Sequence, residues 1–208
     1  MKIALTGGIA CGKSLLSKFL NELGVETLDA DDVVHELIPD PEERRRIAAE
    51  VFADPEKRRA LEAKIHPVVK QRIDEWLRQP VGSDPAGETE GSDPMVAAPN
   101  FQLSTFNFQL RIAVIPLLFE AHWDKNFDII CCVVSSREKQ IERMMTTRGM
   151  TCAEAEARLA AQMPVEEKAK RSHYVIHNDG KPEELKAEAT AFLGWLKSKE
   201  HSSTLLHG

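Results

Sequence analysis

The chain lacks long apolar runs. Nowhere in its 208 residues is there anything near the roughly 20 consecutive apolar residues that cross a bilayer, so no membrane partner is expected. The opening "MKIALTGG" runs from three apolar residues straight into glycines, which is too little for the apolar core of a secretory signal. Cysteine is sparse: Cys11, Cys131, Cys132 and Cys152 are the four. They form no Cys-x-x-Cys pair and have no histidine at zinc spacing, which argues against a zinc module or a disulfide framework. Such cysteines suit a reducing compartment, so a cytoplasmic location is expected. Positive charge is also short. The net charge is −6, whereas a general nucleic-acid binder is more often basic, and no nucleic-acid partner is expected. The one basic stretch, Arg44 to Arg72, holds nine Lys and Arg against four Asp and Glu. It reads either as solvated helix faces or as a local surface for a small anion.

What is present begins at residues 5 to 14, "LTGGIACGKS". Gly7, Gly12, Lys13 and Ser14 fit Gly-x-x-x-x-Gly-Lys-Ser. The residues before this motif read as a strand, 2 to 6, and those after it as a helix, 13 to 23, with a second strand at 25 to 29. That context turns a glycine pattern into a phosphate-binding loop. Glycines let the backbone wrap a phosphate chain with its N–H groups at a helix N-terminus. Lysine supplies a point charge there, and the serine hydroxyl a Mg²⁺ ligand.

The rest of the chain alternates strands and helices. Helices are predicted at 31–38, 42–52, 55–78, 137–147, 152–162, 165–171 and 182–197, and strands at 111–115, 127–134 and 173–178. Pro67 predicts a kink or break after Ile65. The alternation implies an α/β fold, a mainly parallel sheet covered on both faces in three layers. Residues 80–110 differ, with "GSDP" and "NFQL" each occurring twice. They read as a repeat-containing insertion with no catalytic role, and the tail 199–208 as frayed.

Next to the loop comes "LDADDVVHEL", residues 28 to 37. Asp29 and Asp31 end the second strand, at the edge where open parallel sheets bind ligands. Asp29 reads as a helix cap. Asp31 reads as a base for a hydroxyl nucleophile. A GTPase would need an Asn-Lys-x-Asp segment, and "DKNFD" at 124 to 128 has the wrong order. Arg143, Arg148 and Arg158 fall in a helix–turn–helix at 142–164, as expected of a lid that closes over phosphates.

Taken in order, "LTGGIACGKS", "LDADDVVHEL", "FADPEKRRALEAKIHPVV", "IPLLFEA", the lid and "HYVIHNDG" resemble the dephospho-coenzyme A kinase family. The resemblance implies a P-loop kinase core at 1–38, 111–141 and 172–198, a helical substrate lobe at 39–79 and a lid at 142–171. It implies transfer of the ATP γ-phosphate to the ribose 3′-hydroxyl of dephospho-coenzyme A, with no obligate protein partner. Asp31, Lys13 and Arg143 would be catalytic. Gly8, Ile9, Ala10, Cys11, Gly12, Lys13, Ser14, Leu15, Arg148 and Asn178 would hold ATP, with Mg²⁺ on Ser14. Thr6, Asp31, His66 and Leu117 would meet the acceptor. The chain departs from the family pattern at Ala10 and Cys11, where Gly and Ser are common, and at Thr147, where a lid arginine is expected. Cys11, beside Lys13 at a helix N-terminus, is expected to be a low-pKa, reactive thiol. A nucleoside or nucleotide kinase, and a non-catalytic ATP-binding regulator, stand as alternatives.

Overall fold

The computed structural model describes residues 1–81 and 110–204. The repeats at 82–109 and the last residues, 205–208, lie outside the described residues. Five strands, β1 Ile3–Gly7, β2 Glu26–Asp29, β3 Arg111–Val114, β4 Ile129–Val134 and β5 Tyr174–His177, form one sheet in the order β2-β3-β1-β4-β5. Every neighbouring pair is parallel, with Ala4 between Ala113 and Ile130 at the centre. A sheet covered on both faces needs apolar residues throughout its central strands, and β1, β3 and β4 are buried along their whole lengths.

Helices α1 Lys13–Glu22 and α8 Pro182–Thr204 are two of the elements flanking this sheet. Leu16 and Leu20 of α1 join Leu185, Phe192 and Leu196 of α8 in one core cluster. Helical spacing puts each set on one stripe. A second cluster joins α2 Ala30–Leu37 and α4 Pro55–Arg78 to the sheet through Val33, Val69, Ile73 and Phe119. The helix α3 Pro41–Ala53 packs on α4. Beyond β4 come α5 Arg137–Arg148, α6 Cys152–Ala160 and α7 Val165–Lys170. Among the described residues no helix is long and apolar enough to cross a membrane.

Two expectations are corrected. Helix α4 runs unbroken through Pro67. Its C-terminal half is held to the core by buried Val69, Ile73 and Trp76 and by Asp74, which accepts from Lys2 Nζ at 2.7 Å. Pro67 itself is exposed, as is Ala63 one turn earlier, so the carbonyl left without a donor can be solvated. Helix α8 continues to Thr204 rather than fraying at 199. Arg111, buried at the start of β3, bonds Glu26 at 2.7 Å and the carbonyls of Trp76 and Gln79. It fastens the end of α4 to the sheet edge.

Candidate active site

Chain order sets the crevice. From β1 the chain crosses to β2 on one side of the sheet, and β4 lies on the other. Loops at the carboxyl ends of strands that diverge this way border a binding cleft. The loop after β1 turns into α1 at Gly12, whose φ of 93° is left-handed. A side chain added there would also collide with the amide of Asn178.

The first turn of α1 has neither a side-chain cap nor an acidic residue, whereas α2 to α6 are each capped by Asp, Ser or Thr. A helix end left open beside a lysine fits an anionic ligand. Lys13 Nζ donates to the carbonyls of Gly8 at 2.9 Å and Gly7 at 3.2 Å. Burial lowers its pKa from the ordinary lysine value.

The open end faces a cleft of about 310 Å³ lined by Ile9, Ala10, Lys13, Ser14, Asp29 and Asp31, with Arg143 and Arg148 of α5 across it. Asp29 caps α2 by accepting from Asp31 N at 2.9 Å, and burial raises its pKa. That bond turns the neighbouring Asp31 outward, exposed at the cleft. Arg158 is exposed on α6 and does not line this cleft. On the far side of Arg143 a space of about 390 Å³ is lined by Gly12, Leu15, Asn178, Asp179 and Gly180.

A second, apolar slot of about 220 Å³ adjoins the cleft. Its walls include Val34, Leu61, Ile65, His66, Leu117 and Trp123, with the His66 and Trp123 rings edge to face at 5.4 Å. Asp31 and Pro116 line both the slot and the cleft. One carboxylate therefore stands where an anion-binding cleft meets an apolar pocket.

Several sequence expectations move. Thr6 is fully buried, and its hydroxyl donates to Pro116 O at 3.4 Å, so it backs the slot wall instead of meeting an acceptor. The Cys11 side chain is fully buried behind the loop, and burial raises its pKa where a depressed value was expected. The positive groups at the loop do not outweigh the loss of water. Gly8 faces the rear of the loop, in a cavity with Gln140 and Val165, and Ile9 borders both sides. Arg143 donates to Ala10 O, Ser135 Oγ and Asn178 O at 3.2, 2.9 and 2.7 Å.

Three participants escaped the sequence reading. Gln140 and Trp123 have no motif around them. Lys168 looks like a solvated helix lysine, yet it is fully buried, 2.7 Å from Glu120 Oε1 and 2.9 Å from Pro116 O. The small apolar Val165 and Ala169 beside it were the available signal, because they mark the packed face of α7.

The chain is similar to known proteins along most of its length. A family model for dephospho-CoA kinase matches residues 1–43 and 93–184. The dephospho-CoA kinase of Synechococcus sp. (strain JA-3-3Ab) is 36% identical over 92% of this chain and 91% of its own. The chain belongs to the dephospho-CoA kinase family. The crystal structure of TT1252 from Thermus thermophilus is 31% identical, with a TM-score of 0.67 over 94% of this chain and 97% of that one. The dephospho-CoA kinase from Campylobacter jejuni shares the fold at 21% identity, with a TM-score of 0.61 over 96% and 100% of the two chains. The family model leaves out residues 44–92, the region of α3 and α4 where the substrate lobe was predicted. As a member of this family the chain is a P-loop kinase.

Proposed function

We propose that the protein transfers the γ-phosphoryl group of ATP to the ribose 3′-hydroxyl of dephospho-coenzyme A, giving coenzyme A and ADP, the last step of coenzyme A synthesis. The observation that carries this is the position of Asp31, shared by the phosphate cleft and the apolar slot. A kinase needs a base where donor and acceptor meet. A protein that only sensed ATP would need no second pocket behind its carboxylate.

The nucleotide phosphates fit the open end of α1, and its base fits the space beyond Arg143 beside Asn178. The acceptor ribose enters from the slot, with its adenine against Leu117, His66 and Trp123. Asp31 takes the hydroxyl proton as the oxygen forms its bond to the γ-phosphorus. The bond from that phosphorus to the bridging oxygen breaks, and ADP leaves with the electron pair. Lys13, Arg143 and Arg148 offset the charge on the group in flight.

Among the described residues no cluster of three or more His, Cys, Asp or Glu is placed to hold a metal. The exposed Ser14 hydroxyl beside two carboxylates nevertheless fits Mg²⁺ carried in with the nucleotide. Bound there, Mg²⁺ would neutralise phosphate charge. Four free cysteines fit a reducing cytoplasm.

The test is ADP release from Mg-ATP with dephospho-coenzyme A, nucleosides and nucleoside monophosphates offered separately. Release with dephospho-coenzyme A alone supports the reading. Preference for a nucleoside or nucleotide would assign the slot to another acceptor. Release with none of them would leave an ATP-binding protein without this chemistry.

A further inference from the structure

Three successive carbonyls of the phosphate loop are held from outside. Gln140 Nε2 donates to Ile9 O at 2.7 Å, Arg143 to Ala10 O at 3.2 Å and Asn178 Nδ2 to Cys11 O at 2.8 Å. A trans peptide is planar, with its C=O and the following N–H on opposite sides. Fixing the Ile9 carbonyl outward therefore turns the Ala10 N–H the other way, toward the cleft. Arg143 and Asn178 already belong to the nucleotide site. Gln140 does not.

Gln140 is 3% exposed and borders the cavity behind the loop, not the phosphate cleft. Its amide fills the space against the loop so closely that a Cβ at Gly8 would lie 2.5 Å from Nε2. The same Nε2 lies 3.1 Å from Cys11 Sγ. Ile9 borders both the rear cavity and the cleft, so the Ile9–Ala10 peptide spans from one to the other. Ala10, the next residue, takes a left-handed φ of 57°. A non-glycine residue holds that conformation only where its surroundings enforce it.

We propose that Gln140 is a positioning residue for phosphoryl transfer: from behind the loop its carboxamide holds the Ile9–Ala10 peptide so that the Ala10 N–H stays aimed into the phosphate cleft, and it covers the Cys11 thiol. Gln140 touches no substrate. It acts through the backbone, one helical turn before Arg143 on α5.

The inference rests only on the cleft being the nucleotide site, so it is tested without acceptor. Binding of a fluorescent ATP analogue with Mg²⁺ is titrated for the full-length protein and for Gln140→Leu, which keeps the bulk and removes the donor. The expected result is affinity weaker by about tenfold, the scale of one lost buried hydrogen bond. Alkylation of Cys11 by iodoacetamide, mapped by mass spectrometry, is expected to be slow in the wild type and at least about tenfold faster in the variant, with Mg-ATP protecting. In turnover, KM for ATP should rise while KM for the acceptor stays within about twofold. A folded Gln140→Leu with wild-type nucleotide affinity overturns the proposal. So does an equal rise in both KM values, which marks general loosening. Should Gln140→Leu not fold, Gln140→Asn, whose amide falls one methylene short, decides by the same measurements.

Discussion

In the proposed transfer Asp31 is the residue on which the chemistry depends most. Replacing it by Asn keeps shape and removes the base, so kcat should fall by about a hundredfold or more while KM for ATP is unchanged within error in steady-state assays. Lys13 gives a pH signature. In the proposed transfer its cation is what the phosphate meets, and burial lowers its pKa. The charge is therefore lost at a lower pH than for a free lysine. The alkaline fall in kcat/KM for ATP should have its midpoint below the ordinary value of about 10.4, and Lys13→Arg, if it binds ATP at all, should lack that limb. Ala10 stores strain at φ 57°. Ala10→Gly removes a cost of about 1–2 kcal/mol and adds about 0.5–1 kcal/mol of chain entropy. Urea unfolding should therefore show a variant between neutral and about 1.5 kcal/mol more stable. At this scale the motif was legible in the chain and its bracing was not. The loop's partners Gln140, Arg143 and Asn178 lie 131, 133 and 167 positions away in sequence, and no local pattern reports contacts that distant. Cys11 shows the same limit. Lys13 two positions on and the start of a helix pointed to a thiolate, but the fold turns its side chain into the core.

Among the elements, the short α7 carries more than its length suggests. Lys168 ties it to Glu120, Glu120 Oε1 also accepts from Met163 N at 3.1 Å where the chain after α6 returns to the core, and Lys168 holds Pro116 O. The start of α7 and the wall between cleft and slot are thus one bonded unit. Lys168→Met leaves Glu120 half-buried without its counter-charge. Unfolding by denaturant should show a loss of about 3–5 kcal/mol, and Lys168→Arg should recover most of it. A loss under about 1 kcal/mol would mean that the pair behaves as a surface contact. Helix limits, the end of α8 apart, were read to within about two residues, as in α6, expected at 152–162 and found at Cys152–Ala160, where a Thr151–Glu154 capping box that the reading did not use fixes the start. Of the kink or break expected at Pro67, the break does not form, because local preference is not the only force there. The tertiary contacts of Val69, Ile73 and Trp76 keep α4 continuous, and those contacts do not show in the neighbourhood of a proline.

For the whole molecule, the alternation of strands and helices was enough to call for a parallel three-layer fold, because covered parallel strands are apolar along their length. The strand order was not readable, since β2 and β3 pair across more than eighty intervening residues. That order is what brings Asp31, from the end of β2, beside Pro116, from the end of β3, and opens two pockets onto one carboxylate. The central claim is that the phosphate crosses from cleft to slot at that carboxylate and lands on a ribose hydroxyl. The most direct measurement is the product itself: purified protein, Mg-ATP and dephospho-coenzyme A, with the new phosphomonoester located by ³¹P NMR and mass spectrometry. One added phosphate is expected, on the ribose 3′-oxygen, formed by the wild type and nearly absent with Asp31→Asn. Phosphate at any other oxygen, inorganic phosphate as the sole product, or equal yield from the Asn variant would contradict it.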